Sequence, residues 1–242
     1  LYEDAEIGYF KTHYYGGIRK YQWTAIPLSL HGVIVKKGGE AVAVSVGEEP
    51  GEPVFSITDL LPHLSKDQDA RKLGDGVRGE ELNIVIGSRP FRDDKASQKV
   101  KLAIAKLLFD KYGIVESDFQ AADLQAVPAF APRDVGFDRS MVGAYGQDDK
   151  VCAYTSLMAA IEAPAPEYTH VTVMADKEEV GSPGATGMGS DYFVYFISDL
   201  AKPYGIEGRT VGGKFADLFP ADVFSGRKGS RFLGKPYDST RD

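Results

Sequence analysis

The sequence contains a single cysteine, Cys152, among 242 residues, so it cannot form an internal disulfide. Chains so poor in cysteine are typical of reducing compartments. No apolar run reaches the roughly 18 residues that a membrane-spanning helix needs, and the N-terminal stretch lacks the pattern of a signal peptide. We therefore expect a cytoplasmic protein with no membrane partner.

Positive charge is also scarce. The 28 lysines and arginines are outnumbered by 35 aspartates and glutamates, which gives a formal net charge of −7 and a pI near 5.2. No block of basic residues is present, so we expect no nucleic-acid partner. With 43% hydrophobic and 26% charged residues, the composition is that of a soluble globular protein, long enough for one large domain or two small ones.

The first half of the chain has the pattern of strands separated by turns. "GVIVKKGGEAVAVSV" predicts a hairpin around residues 37–39, and "ELNIVIGS" predicts a further strand. The polar stretch between them, residues 59–80, is interrupted by proline and glycine and predicts an excursion on the surface. A strand in "DLQAVPAFAPRDVGF" is expected to end at Pro128 and Pro132, near an organisational boundary.

Amphipathic periodicity predicts helices in both halves. In "SQKVKLAIAKLLFDKYGI" the apolar face contains Val100, Ile104, Leu107 and Leu108, and Gly113 ends the helix. "DDKVCAYTSLMAAIEAPAP" predicts a second helix, whose expected buried stripe consists of Val151, Tyr154, Leu157, Met158 and Ile161. "THVTVMA" then predicts a buried strand and "SDYFVYFISDLAKPYG" another helix. This alternation indicates an α/β core.

Two acidic pairs lie at the ends of these elements. Asp148 and Asp149 stand at the start of a helix, and Glu178 and Glu179 follow the next strand. Ligands of open α/β sheets collect at the carboxyl ends of strands, so both pairs could meet in one crevice. A hydrolase with two metals needs a bridging carboxylate, terminal ligands and one free base, and adjacent glutamates could supply the last two. Helix capping by the aspartates and a solvated corner at the glutamates are the alternatives.

Several motifs resemble one family. "GAYGQDDKVCAYTSL" and "DKEEVGS" are similar to the central motifs of the aspartyl aminopeptidase-like metallopeptidases, family eighteen, which includes vacuolar leucine aminopeptidase and bacterial probable aminopeptidases. "KTHYYGGIRKYQW", "FSITDLLPHL" and "VPAFAPRDVGFDRS" resemble the bacterial branch. The resemblance covers residues 1–189.

The resemblance implies a fold and an assembly. The fold is of the α/β class, a di-metal aminopeptidase catalytic domain that is interrupted by a β-rich dimerisation insert. The insert is placed at residues 8–131 and part of the catalytic domain at residues 132–242, with residues 1–7 leading in from it. A homo-oligomer built from dimers, up to a dodecamer, is expected.

The resemblance also implies an activity, which is hydrolysis of the N-terminal peptide bond of short peptides by water activated at two divalent ions. Zn is the expected metal, and Co or Mn are the alternatives. By position, Asp148 matches the bridging carboxylate, Glu178 the general base and Glu179 a terminal ligand. Asp149 would support the site, and Asp222 in "FPADVF" offers a further ligand.

Other expected parts are missing or weaker. A His-x-Asp motif before Leu1 and a C-terminal histidine ligand have no match, so we expect the chain alone to bind metal poorly and to be inactive. His13 could help to shape the substrate pocket, although a structural role competes. Cys152 is interpreted as a small core residue rather than a nucleophile.

Two other functions compete with the enzyme. A non-catalytic assembly or binding module would explain an incomplete metal site. "GSPGATG" could suggest nucleotide binding, but it lacks the Lys-Ser/Thr of a phosphate loop and follows two carboxylates that would repel phosphate.

Overall fold

The chain forms two units, the first made of residues 1–14 and 18–147 and the second of residues 15–17 and 148–242. The computed structural model describes the following parts of them: residues 1–14, 16–165, 167, 170–175 and 191–205. The placement of a dimerisation insert at residues 8–131 stays a prediction.

Antiparallel strands make up the sheets of the first unit. They are β1 (Tyr2–Asp4), β2 (Ile7–Phe10), β3 (Leu28–Val35), β4 (Ala41–Val46), β5 (Ile84–Gly87), β6 (Ala122–Pro128), β7 (Arg133–Val135) and β8 (Met141–Gly143). One sheet has the order β1-β2-β5, a second has the order β4-β3-β6, and β7 pairs with β8. The predicted strand that ends at Pro128 is confirmed.

The predicted hairpin is confirmed as β3 and β4. Val35 pairs with Ala41 at its end, and the Lys36 amide donates a hydrogen bond of 2.8 Å to the carbonyl of Glu40. Gly39 lies in the turn with a φ of 85°, a conformation that glycine adopts without steric cost. The turn residues therefore fix the register of the two strands.

Helix α2, Lys99–Tyr112, confirms the first amphipathic prediction, after a short helix α1 at Lys66–Asp69. It lies on a pair of glycines in the sheet below. A Cβ on Gly8 would come within 3.3 Å of Val100 Cγ1, and one on Gly87 within 2.7 Å of Ile104 Cδ1. Leu107 was wrongly placed on the buried face: it is 62% exposed because it lies beyond the strip that the sheet covers.

Two apolar clusters form the core of the first unit. The first contains Leu28, Ile57, Val77, Leu82 and Ile84, and the second contains Leu30, Ile34, Val44, Val46 and Ile114. Phe10 and Phe55 pack against both clusters and join them. Val77 corrects the prediction for residues 59–80: the stretch runs mostly over the surface, but this side chain anchors it in the core.

The second unit contains two of the predicted helices, α3 (Gln147–Glu162), which starts at the last residue of the first unit, and α4 (Asp191–Ala201). The expected buried stripe of α3 is wrong for most of its members, because Val151, Tyr154 and Ile161 are more than half exposed and Leu157 is 38% exposed, while Met158 is half-buried. Residues 170–175 form no strand, and the described chain offers them no strand partner.

Helices and strands together give mixed α and β content. The sheets that the described residues form are antiparallel. None of the helices that the structure describes is long and apolar enough to cross a membrane.

Candidate metal centre

Asp148 and Asp149 lie at the start of α3 and interrupt its helical geometry. Their backbone angles are φ −93°, ψ 108° and φ −117°, ψ 17°, and the peptide bond between them is cis. The regular helix therefore follows them, and its N-terminal end favours negative charge. Both residues are exposed, so their carboxylates are open to a ligand from solvent.

Cys152 lies one turn further along α3, beside Asp149. The carboxylate of Asp149 accepts a hydrogen bond from the thiol and raises the pKa of Cys152. A raised pKa keeps the thiol protonated, which makes it a poor nucleophile and a poor metal ligand. The interpretation of Cys152 as a core residue is wrong, because the residue is exposed.

The other predicted members of the centre fall outside the described residues. They are Glu178, Glu179 and Asp222, and their roles stay predictions. Within the ranges that the structure describes, no group of three or more His, Cys, Asp or Glu side chains could hold a metal ion. Of the predicted members, the structure describes the pair Asp148 and Asp149, whose carboxylate oxygens are donors of a kind that zinc accepts.

His13 lies in the first unit, on the segment that follows β2. Its ring stacks on Tyr14, with 6.2 Å between the ring centroids and 28° between the planes. The neighbouring Thr12 hydroxyl donates a hydrogen bond to the carbonyl of Leu82, which ties the segment to the core. His13 itself is exposed, and its predicted contribution to a substrate pocket stays untested.

His31 belongs to a polar network that the sequence analysis missed. Its Nε2 lies 2.8 Å from Glu48 Oε1 and 3.1 Å from Ser29 Oγ, and its Nδ1 lies 3.3 Å from Ser45 Oγ. Hydrogen bonds from Ser29 and His31 hold the pKa of Glu48 below its usual value. The hairpin register, which pairs His31 with Ser45, was the signal that could have revealed this network.

Comparison with protein families gives one assignment. The model of the family described as "Aminopeptidase I zinc metalloprotease (M18)" matches residues 2–207, which is most of the chain.

Individual relatives agree with this match. The chain is 52% identical over 200 residues to a "Probable M18 family aminopeptidase 1" of Clostridium acetobutylicum, which covers 83% of this chain and 43% of the relative. A protein of the same description from Thermotoga maritima is 45% identical over 205 residues, covering 85% and 45%. The chain thus spans less than half the length of these curated relatives.

Solved structures give the same result. A crystal structure of an M18 family aminopeptidase from Thermotoga maritima is similar with a TM-score of 0.77 at 44% identity, covering 85% of this chain and 45% of that one. Aminopeptidase I from Clostridium acetobutylicum is similar with a TM-score of 0.77 at 48% identity, covering 87% and 46%.

Proposed function

Because the chain belongs to the M18 family of aminopeptidase I zinc metalloproteases, we propose that this protein is a metal-dependent aminopeptidase. Its substrates are short peptides, from which it hydrolyses the N-terminal peptide bond. The family match over residues 2–207 carries the proposal. The open carboxylates of Asp148 and Asp149 at the start of α3 support it, since they are donors that zinc accepts.

Four acidic residues hold and support two divalent ions in this proposal. Asp148 is the bridging carboxylate, Glu179 and Asp222 are further ligands, and Asp149 orients the site. Zinc, when bound, polarises the substrate carbonyl and lowers the pKa of water. Zinc is favoured over cobalt or manganese because the family is described as a zinc metalloprotease.

Glu178 is the general base. Its carboxylate takes a proton from the attacking water, a task that needs a residue free of metal coordination. Because it is adjacent to Glu179 in the sequence, a ligand and a base are held by one short segment. His13 contributes to the wall of the substrate pocket.

Replacement of the base tests the catalytic assignment. In the full-length protein, Glu178→Gln lowers kcat on the order of 10²–10⁴-fold, because general-base catalysis is lost. The zinc content stays unchanged, since no ligand is removed. Glu162→Gln, the same change at the end of α3, is the matched control and leaves both quantities unchanged. A Glu178→Gln protein with near-normal kcat would refute the assignment.

Replacement of the bridge tests the metal assignment separately. Asp148→Ala lowers the occupancy of both metals as well as kcat, because a bridging carboxylate binds each ion. Elemental analysis of dialysed protein measures the occupancy. Equal metal content in the variant and the unchanged protein would show that Asp148 is not the bridge.

The protein acts in the cytoplasm as a homo-oligomer built from dimers, in which residues 8–131 form the dimer contact and the assembly extends to a dodecamer. Light scattering at micromolar concentration measures this assembly. A purely monomeric protein would contradict it.

A non-catalytic assembly or binding module is the second candidate. Such a module would contain no stoichiometric zinc and would hydrolyse no aminoacyl substrate, so zinc content and turnover separate the two candidates.

A further inference from the structure

The first unit contains a cavity that the proposed aminopeptidase chemistry does not use. It has a volume of about 650 Å³, and its walls come from Tyr14, Lys20 and the stretch of residues 71–80. Small-molecule sites have volumes of about 300–1,000 Å³. The cavity is therefore large enough for a ligand the size of a dipeptide.

Basic side chains predominate in its walls, although the chain as a whole has a net charge of −7. Lys20, Arg71, Lys72 and Arg78 line it, against two acidic residues, Asp75 and Glu80. A concave surface with low-dielectric walls concentrates the field of such charges. The cavity therefore favours a negatively charged group.

One of the four cations is fixed in place. Arg71 Nη1 lies 3.0 Å from each carboxylate oxygen of Glu81 and 3.3 Å from the carbonyl oxygen of Gly76. By contrast, Lys72 and Arg78 form no ion pair with any residue in the described ranges. Arg71 thus holds the wall. Arg78 lies in the field of the Glu81 carboxylate, but its side chain and that of Lys72 form no ion pair in the described ranges, so both can bind a ligand.

An aromatic ring adjoins these charges. Tyr14 packs on the backbone of Gly79 so closely that a Cβ there would lie 2.8 Å from Tyr14 Cε1. Lys20 Nζ lies 5.4 Å from the centroid of the same ring. A ring beside ammonium and guanidinium groups suits a ligand with an apolar body and a charged end.

We propose that this cavity binds a small carboxylate-bearing molecule, of the size of a free amino acid or a dipeptide. The carboxylate contacts Lys72 and Arg78, and a guanidinium can bind it through two parallel hydrogen bonds. The apolar body lies on Tyr14, and an ammonium group, where the ligand has one, faces Asp75 or Glu80. This proposal does not depend on the proposed aminopeptidase activity.

Calorimetric titration with the dipeptide glycyl-phenylalanine tests the proposal. The chain carries Asp148→Ala and is dialysed free of metal, so that peptide is neither hydrolysed nor bound at metal ions. Carboxylate chelators are left out because they would compete. Glycyl-phenylalanine binds, and its C-terminal amide binds at least about tenfold more weakly, because a charge-assisted hydrogen bond is lost.

Variants locate this binding. Lys72→Gln combined with Arg78→Gln weakens it on the order of tenfold to a hundredfold, whereas Lys66→Gln, an exposed lysine outside the cavity, changes nothing. Gly79→Ala displaces Tyr14 without changing charge and also weakens binding, whereas Gly74→Ala, where a Cβ would meet nothing, does not. Unchanged Trp23 fluorescence shows that the variants remain folded.

Three results would overturn the proposal: no binding of the dipeptide, equal binding of the dipeptide and its amide, or binding of inorganic phosphate alone. Unchanged affinity in the Lys72 and Arg78 double variant would also overturn it. Absence of aminopeptidase turnover by the zinc-loaded, unsubstituted full-length protein would refute the proposed function and would leave the binding result intact.

Discussion

Helices α2 and α3 have similar apolar patterns in the sequence, but the apolar face of α2 is largely covered in the first unit and that of α3 is largely exposed in the second. Val100 of α2 is 1% exposed and lies against the sheet of the first unit, whereas Ile161 of α3 is 66% exposed in the second. Periodicity predicts which face of a helix is apolar, and it does not predict whether another element covers that face.

The energetic consequence is large. Removing apolar surface from water contributes about 25 cal/mol per Å², and only the covered side chains gain it. We therefore expect the stability of the described part to reside mainly in the first unit, around its two apolar clusters. Trp23 is the only tryptophan of the chain and lies in that unit, so its fluorescence reports on the unit selectively.

The largest expected effect is at Gly32, in the middle of β3. Its φ is 143°, and an added Cβ would lie 2.0 Å from the carbonyl oxygen of Asp123 on β6. Gly32→Ala therefore destabilises the first unit by about 4 kcal/mol, from backbone strain and overpacking together. Gly38→Ala, where a Cβ would meet nothing, changes stability by under about 0.5 kcal/mol. Urea unfolding followed by Trp23 fluorescence measures the stability of both variants. Equal unfolding midpoints for the two variants would contradict this prediction.

Replacing one isoleucine in each unit by alanine compares how much burial contributes to the stability of the two units. Ile34 is 1% exposed in the first unit and Ile161 is 66% exposed in the second. Ile34→Ala costs about 3 kcal/mol through lost burial and a cavity, whereas Ile161→Ala costs under about 0.5 kcal/mol. Thermal unfolding followed by circular dichroism measures the difference. A cost for Ile161→Ala as large as that for Ile34→Ala would mean that α3 is buried in solution.

Acid sensitivity should also be a property of the first unit. The backbone amide of Arg78, and then the side chain of Arg71, lower the pKa of Glu81 from its usual 4.5. A lowered pKa contributes stability above about pH 4.5 that is lost as pH falls through the folded-state value. Because the Glu81 side chain is 41% exposed and solvent screens its charge, the contribution is under about 1 kcal/mol.

Unfolding midpoints measured from pH 7 down to pH 3 check this effect. Glu81→Gln flattens the acid slope and lowers stability at neutral pH. An identical slope in Glu81→Gln and the unchanged chain would contradict the assignment.

Exposed ion pairs give the smallest expected effect, and they should not distinguish the units. Lys106 and Asp110 lie 2.7 Å apart on α2, and Lys202 and Asp199 lie 2.5 Å apart at the end of α4. Breaking either pair costs about 0.3–0.5 kcal/mol, since solvent and salt screen it. Double-mutant cycles at low and high salt measure both. A coupling above about 1 kcal/mol in only one unit would mean that its pair is shielded from solvent.

The candidate site remains a prediction from the sequence, and the structure describes only Asp148, Asp149 and His13 of its predicted residues. Adjacent acidic residues and their flanking motifs indicated Asp148, Asp149, Glu178 and Glu179, because metal chemistry requires carboxylates in a defined local order. The network of His31, by contrast, depends on cross-strand pairing that a motif does not reveal. The cavity beside Tyr14 was missed for the same reason, because it joins Tyr14 and Lys20 to residues 71–80, a stretch whose sequence predicted only a polar surface loop.

Local patterns by themselves determined the hairpin of β3 and β4, the end of α2 at Gly113 and the existence of α3 and α4. Turn chemistry, capping glycines and helical periodicity act within a few residues, so the sequence determines them directly. Burial was decided only by the tertiary structure. The sequence could not predict that Val77 enters the core while the stripe of α3 stays exposed, because burial depends on which distant segments reach a side chain and the desolvation they supply.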